Sequence, residues 1–151
     1  MANETVLLTG ASGFLGSHIA QQLLYQGYTV KATFRSDKKS QLFKDAFPGH
    51  KVETCIVKDI TSPDAFAEAI KGVDHVIHSA SPFTFHVDDI QRDLIDPAVN
   101  GTKAMLEAVA SSEIKRLVIT SSFAAVISPR QGSRPGYTYT GMHSPWSRAF
   151  F

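Results

Sequence analysis

Apolar positions along the chain follow two periods in turn, and the switches between them fall at glycine, proline and serine. Val6, Leu7, Leu8 and Thr9 form a short continuous apolar run, which predicts a strand, and the run breaks at Gly10. Over residues 13–26 Leu15, Ile19, Leu23 and Leu24 recur at helical spacing, and Gly27 is placed to close that helix as a C-cap. Residues 28–34 alternate and are rich in β-formers, predicting a second strand with Arg35 at its end. Residues 38–47 predict a short polar helix stopped by Pro48 and Gly49, and residues 51–57 a third strand. Ser62 and Pro63 read as the N-cap and first turn of a helix whose apolar face is Ala65, Phe66, Ala69 and Ile70, ended by Gly72. Residues 73–79 predict a fourth strand running into Ala80, Ser81 and Pro82. Residues 89–112 predict the longest helix, with Leu94, Ile95, Ala98, Val99, Leu106 and Val109 on one side. Residues 117–120 predict a fifth strand, opening into Ser121 and Ser122.

Strand alternates with helix throughout, with short links, which predicts right-handed βαβ units and an α/β, doubly wound parallel sheet. The inferred strand order is 3-2-1-4-5. A ligand should then bind at the carboxyl ends, where the order reverses between the first and fourth strands. Gly10 to Gly16, Arg35, Asp59, Ala80 and Ser122 all fall at those ends. The pattern stops beyond Val126, so residues 1–127 are expected to form the domain and residues 128–151 an irregular or disordered tail.

The turn at the end of the first strand has the form Gly10-x-x-Gly13-x-x-Gly16. Gly10 permits a tight exit from the strand, Gly13 a close approach of a pyrophosphate to bare backbone, and Gly16 close packing of helix on strand. Free N–H groups and the positive end of the helix dipole make an anion site there before any side chain contributes. A P-loop is a worse fit, because it needs Lys and Ser or Thr after its last glycine and the chain has Ser17 and His18. The end of the second strand meets the adenosine ribose in this fold. A carboxylate there hydrogen-bonds the free 2′-hydroxyl of NAD, whereas an arginine accommodates the 2′-phosphate of NADP. Arg35 therefore points to NADP(H) over NAD(H); the rival is Asp37, which lies past the strand end beside Lys38 and Lys39.

Composition narrows the classes. The 151 residues are 43% hydrophobic and 19% charged with a formal net charge of +1, a globular balance that gives nucleic acid or an anionic membrane no electrostatic hold. No apolar run approaches the ~18 residues of a membrane span, and a cytoplasmic setting is expected. Cys55 is the sole cysteine and is expected to be core filler. His75 and His78, three apart on a strand, point to opposite faces and predict no metal site. Asp88 and Asp89 read as the solvated start of the long helix.

These residues together resemble the extended short-chain dehydrogenase/reductases of the NAD-dependent epimerase/dehydratase superfamily. Within it they resemble the dihydroflavonol reductase, cinnamoyl-CoA reductase and microbial NADPH-dependent aldehyde and ketone reductase group. The stretch Thr9-Gly10-Ala11-Ser12-Gly13-Phe14-Leu15-Gly16-Ser17 is similar to that group's cofactor motif. The resemblance implies that Arg35 and Lys39 bind the 2′-phosphate, that Asp59 and Ile60 hold the adenine, and that Ser79, Ala80, Ser81 and Thr120 line the cofactor. Asp96-Pro97-Ala98-Val99-Asn100-Gly101-Thr102 resembles the group's central helix. Arg116-Leu117-Val118-Ile119-Thr120-Ser121-Ser122 resembles the strand whose last serine is catalytic, which implies that role for Ser122.

Two departures qualify the resemblance. The asparagine many members carry on the central helix falls at Ala98, not Asn100. The Tyr-x-x-x-Lys helix expected after Ser122 is absent: Gly141 and His143 stand four positions after Tyr137 and Tyr139, and no lysine follows Lys115. The chain is thus expected to be a C-terminally truncated NADP(H)-binding domain of a carbonyl reductase, inactive alone, with a small ketone or aldehyde as the completed enzyme's substrate. Self-association through the exposed edge of the fifth strand is expected. The alternatives are a non-enzymatic dinucleotide sensor or scaffold, favoured by the missing Tyr and Lys, and a lower-ranked NAD-dependent epimerase or dehydratase, which Arg35 opposes.

Overall fold

The computed structural model describes residues 4–62, 64–82 and 87–122. Pro63, Tyr137, Tyr139 and the tail predicted over residues 128–151 lie outside the described residues. Contacts divide the chain into two compact units, Met1–Ile119 and Thr120–Phe151.

In the first unit five parallel strands form one sheet: β1 (Thr5–Thr9), β2 (Thr29–Phe34), β3 (Val52–Ile56), β4 (His75–His78) and β5 (Arg116–Ile119). Their order is β3-β2-β1-β4-β5, as the alternation of strand and helix predicts. Leu7 and Leu8 are adjacent on β1, so they point to opposite faces and seed two cores. Leu8 packs with Ala20 and Leu24 of α1 (Phe14–Tyr25), with Val30, Ala32 and Phe34 of β2, and with Phe43 of α2 (Asp37–Ala46). Leu7 packs with Phe66, Ala69 and Val76, and with Ala104 and Met105 of α3 (Asp96–Ala110). A sheet covered on both faces leaves its strand ends as the places where a ligand meets backbone.

Gly27 ends α1 as predicted. At φ +89° its N–H bonds the Leu24 carbonyl and the Tyr28 N–H bonds the Leu23 carbonyl, the paired bonds of a Schellman motif.

Four expectations need correction. First, residues 64–72 are a succession of turns and not a helix. Asp64 sits at φ +59°, and the bonds Ala65 N–H to Ser62 O and Ala67 N–H to Asp64 O span three residues, while Ile70 N–H to Phe66 O (2.9 Å) alone of the bonds seen there spans four. Phe66 and Ala69 are nevertheless buried, and the Lys31 ammonium on β2 anchors the segment through the Lys71 and Glu68 carbonyls (2.9 and 3.3 Å). Second, the long helix does not run regularly from residue 89. A π-helical turn at Gln91–Ile95 precedes α3, and the wider turn rotates α3 out of phase with the residues before it. The buried face is Gly101, Ala104 and Met105, while Ile95, Val99 and Leu106 are exposed. Third, Leu15 is exposed; α1 packs through Gly16, Ala20 and Leu24. Fourth, Cys55, expected in the core, is half-buried, because β3 is an edge strand.

Candidate functional site

The chain leaves β1 at Gly10, whose φ of +74° is left-handed backbone that favours glycine. A Cβ there would also meet the Ala80 nitrogen at 2.8 Å and the Ser79 carbonyl carbon at 2.9 Å, at the end of β4. A Cβ on Gly16 would collide with the Gly10 carbonyl oxygen and come within 2.9 Å of the Ala11 Cα. These two glycines let α1 start directly against the ends of two strands. Gly13 is the N-cap of α1 and makes no side-chain cap, its N–H bonding the Gly10 carbonyl at 3.0 Å. The first-turn N–H groups of such a helix have no acceptor within it.

The strand-end backbone beside the turn is held by Thr9, a residue whose pattern in the sequence marks it only as part of the motif. Its Oγ1 accepts the N–H groups of Ser79 and Ala80 (3.1 and 3.0 Å) and lies 2.9 Å from Nδ1 of buried His78. With both hydroxyl lone pairs used, the Thr9 proton is the one left for Nδ1, so His78 is neutral and protonated on Nε2. Burial pushes the His78 pKa down in the same sense.

Above this knot lies an open cleft of ≈ 550 Å³ at the carboxyl ends of β1 to β4. It brings together Gly10, Ser12, Gly13, Arg35, Lys39, Asp59, Ile60, Ser79, Ala80 and Ser81 among the residues singled out from the sequence. Thr33, Phe34, Val57, Lys58, Thr61, Pro82 and Pro97 line it too, unforeseen. Phe14 and Leu15 do not line it and are exposed on α1, while Gly16 is buried beneath the turn. The rival Asp37 opens α2 and is not on the cleft wall. Thr120 and Ser122 belong to the second unit, where Ser122 is exposed.

Asp59 is the acid of the cleft. Its Oδ1 accepts the Thr61 N–H (2.8 Å) and hydroxyl (2.7 Å), and the Thr61 backbone bond, then its hydroxyl, hold the carboxyl below the usual range. Ile60 is seated by α3, where a Cβ on Gly101 would stand 3.2 Å from Ile60 Cδ1. Asp89 accepts the Arg92 N–H (2.9 Å), as expected of an acid opening a helix. Among the described residues no group of three or more His, Cys, Asp or Glu could hold a metal, and no helix is long and apolar enough to cross a membrane.

A doubly wound parallel sheet with a glycine turn and an open cleft at its switch point defines a domain of the Rossmann type. Residues 7–136 match the 3-beta hydroxysteroid dehydrogenase/isomerase family, and the chain belongs to that family. It is 47% identical over 130 residues to an uncharacterised oxidoreductase of Schizosaccharomyces pombe, covering 83% of this chain and 39% of that one. It is 39% identical over 130 residues to an NADPH-dependent methylglyoxal reductase of Saccharomyces cerevisiae, covering 81% and 38%. The crystal structure of Gre2 from Candida albicans in complex with NADPH superposes with a TM-score of 0.78 at 36% identity, over 82% of this chain and 38% of that one. The chain thus spans about two-fifths of the length of the relatives it matches.

Proposed function

We propose that this chain is the NADP(H)-binding domain of a reductase that converts a ketone or aldehyde to an alcohol. The observation that carries the reading is the cleft: backbone cleared by Gly10 and Gly16, with Arg35 and Lys39 on its wall and Asp37 off it. The residues fit a dinucleotide. A Cβ at either glycine would press on the backbone that shapes the turn, of Ser79 and Ala80 or of Gly10 and Ala11, and neither cation has an ion-pair partner among the described residues. The reductases of the two yeasts support the choice of cofactor by their NADPH dependence and NADPH complex.

The first-turn N–H groups of α1 would receive the pyrophosphate, Arg35 and Lys39 the 2′-phosphate, and Asp59 with Ile60 the adenine; Ser79, Ala80 and Ser81 offer backbone along the path. When bound, the cofactor supplies hydride to the carbonyl carbon. Ser122 donates its hydroxyl to the carbonyl oxygen and polarises it, and the proton that completes the alcohol must come from another acid. The sequence contains no Tyr-x-x-x-Lys to provide it.

Titration of NADPH and NADH by fluorescence tests the cofactor. The chain should prefer NADPH, and Arg35→Ala should lower the preference roughly tenfold to a hundredfold, the worth of a charge-assisted bond of about 1.5 to 3 kcal/mol. Equal affinities in the unmutated chain would overturn the assignment.

A further inference from the structure

Lys58 stands on the same wall of the cleft as Arg35 and Lys39, and no role has been given to it. The register Phe34↔Ile56 sets Arg35 level with Val57, so Lys58 comes one residue on, at the same end of neighbouring strands. It is exposed and lines the cleft. Arg35, Lys39 and Lys58 have no ion-pair partner among the described residues, as Lys38, Lys44 and Arg116 have none, but these three are the ones that line the cleft. The acid next to Lys58 does not neutralise it, because Asp59 is turned into its own loop on Thr61. Three like charges gathered on one wall repel one another, and a compact dianion relieves that repulsion.

We propose that Lys58 is a specificity-determining residue of the cleft, a third cation for the 2′-phosphate beside Arg35 and Lys39. The inference rests on the dinucleotide reading above. Arg35 brings a planar fork that can form paired bonds, whereas a lysine brings a point charge on a flexible stem. Lys58 therefore contributes charge, and arginine at position 58 should replace it.

The test uses two adenosine probes that differ only in the 2′-phosphate, 2′,5′-ADP and 5′-AMP. Each is titrated calorimetrically into the full chain and into Lys58→Met and Lys58→Arg, with melting curves to verify folding. Lys58→Met should weaken 2′,5′-ADP about three- to tenfold and leave 5′-AMP within about twofold, and Lys58→Arg should keep the discrimination. If the unmutated chain discriminates and Lys58→Met discriminates equally well, or loses both probes in proportion, the role of Lys58 is overturned while the dinucleotide reading stands. An unmutated chain that does not discriminate overturns both.

Discussion

Gly16→Ala separates the two jobs of the glycine turn, packing and ligand access. The added Cβ would meet three backbone atoms at once, the Gly10 carbonyl oxygen, the Gly10 carbonyl carbon at 2.7 Å and the Ala11 Cα at 2.9 Å. Backbone cannot rotate away as a side-chain tip can, so α1 must lift from the end of β1. Overpacking of this kind costs about 1 to 3 kcal/mol. The lift also moves the first-turn N–H groups and the turn that lines the cleft, so cofactor affinity should fall together with stability. Gly27→Ala is the internal control. Its φ of +89° strains any other residue, at about 1 to 2 kcal/mol, but nothing lies within 4 Å of the new Cβ and the far end of α1 stays in place. Urea denaturation should show both variants destabilised, and NADPH titration should show only Gly16→Ala impaired. Gly16→Ala with unchanged NADPH affinity, or Gly27→Ala losing as much, would refute the reasoning that the turn at Gly16 builds the site.

Acid should loosen the amino-terminal ends of the strands. Bonds from Lys115 foremost hold the Glu4 and Asp74 carboxyls below their usual range, so their contribution is present above the unfolded pKa near 4 and lost as pH falls through the lowered folded values. Lys115→Met should flatten the drop in urea midpoint between pH 5 and pH 2, and an unchanged acid limb would contradict the network's role. On the proposed function, residues 1–151 by themselves, which contain no Tyr-x-x-x-Lys, should turn over aldehydes and ketones slowly at best, since a placed proton donor typically contributes about 10²- to 10⁴-fold; NADPH consumption above background that vanishes in Ser122→Ala would overturn this. On β5, Val118 and Ile119 are 45% and 40% exposed, and among the described residues only β4 pairs with that strand, so light scattering should find association; a monodisperse monomer would contradict it.

The sheet order was legible because alternation and handedness leave few topologies, and the cleft came with it. The helix faces were less so. Large apolar residues drew the predicted stripes, and on α1 Leu24 is buried with Ile19 and Leu23 packed against the same core, but the stripes missed Gly16, Ala20, Gly101 and Ala104, where small side chains bring a helix close to the sheet. A hydrophobic period weights bulk, whereas close approach selects its absence. The turns over residues 64–72 escaped because their apolar spacing suits a helix, while the left-handed backbone at Asp64 has no mark in an aspartate. Thr9 escaped for a different reason: its partners lie about 70 positions away, so its part in the site exists only once β1 lies beside β4. Lys58 needed the register of β2 on β3.

Charge placement at the two ends of the sheet gives an independent reason to read the carboxyl end as a ligand site. At the amino end a cluster of acids is met by partners: Lys115 reaches Glu4 and Asp74 (3.0 and 2.8 Å), the His75 ring lies 3.3 Å from Glu4, and Asp74 also accepts the Thr5 N–H. Parallel strands all point the other way, and α1 and α2 begin there, so their dipoles make the carboxyl end positive before any side chain is counted. Stability alone would place acids at that end. Lys38 and Lys39 instead occupy the first turn of α2, with only Asp37 in their company, and Arg35 and Lys58 add to the same field. A cation in the first turn of a helix opposes the dipole by a few tenths of a kcal/mol or more. A local rule broken without compensation among a domain's own residues is the signature of a functional site. An anion bound in the cleft at the carboxyl ends of β1 to β4 would supply the compensation that Asp37 and the Thr61-bound Asp59 leave incomplete.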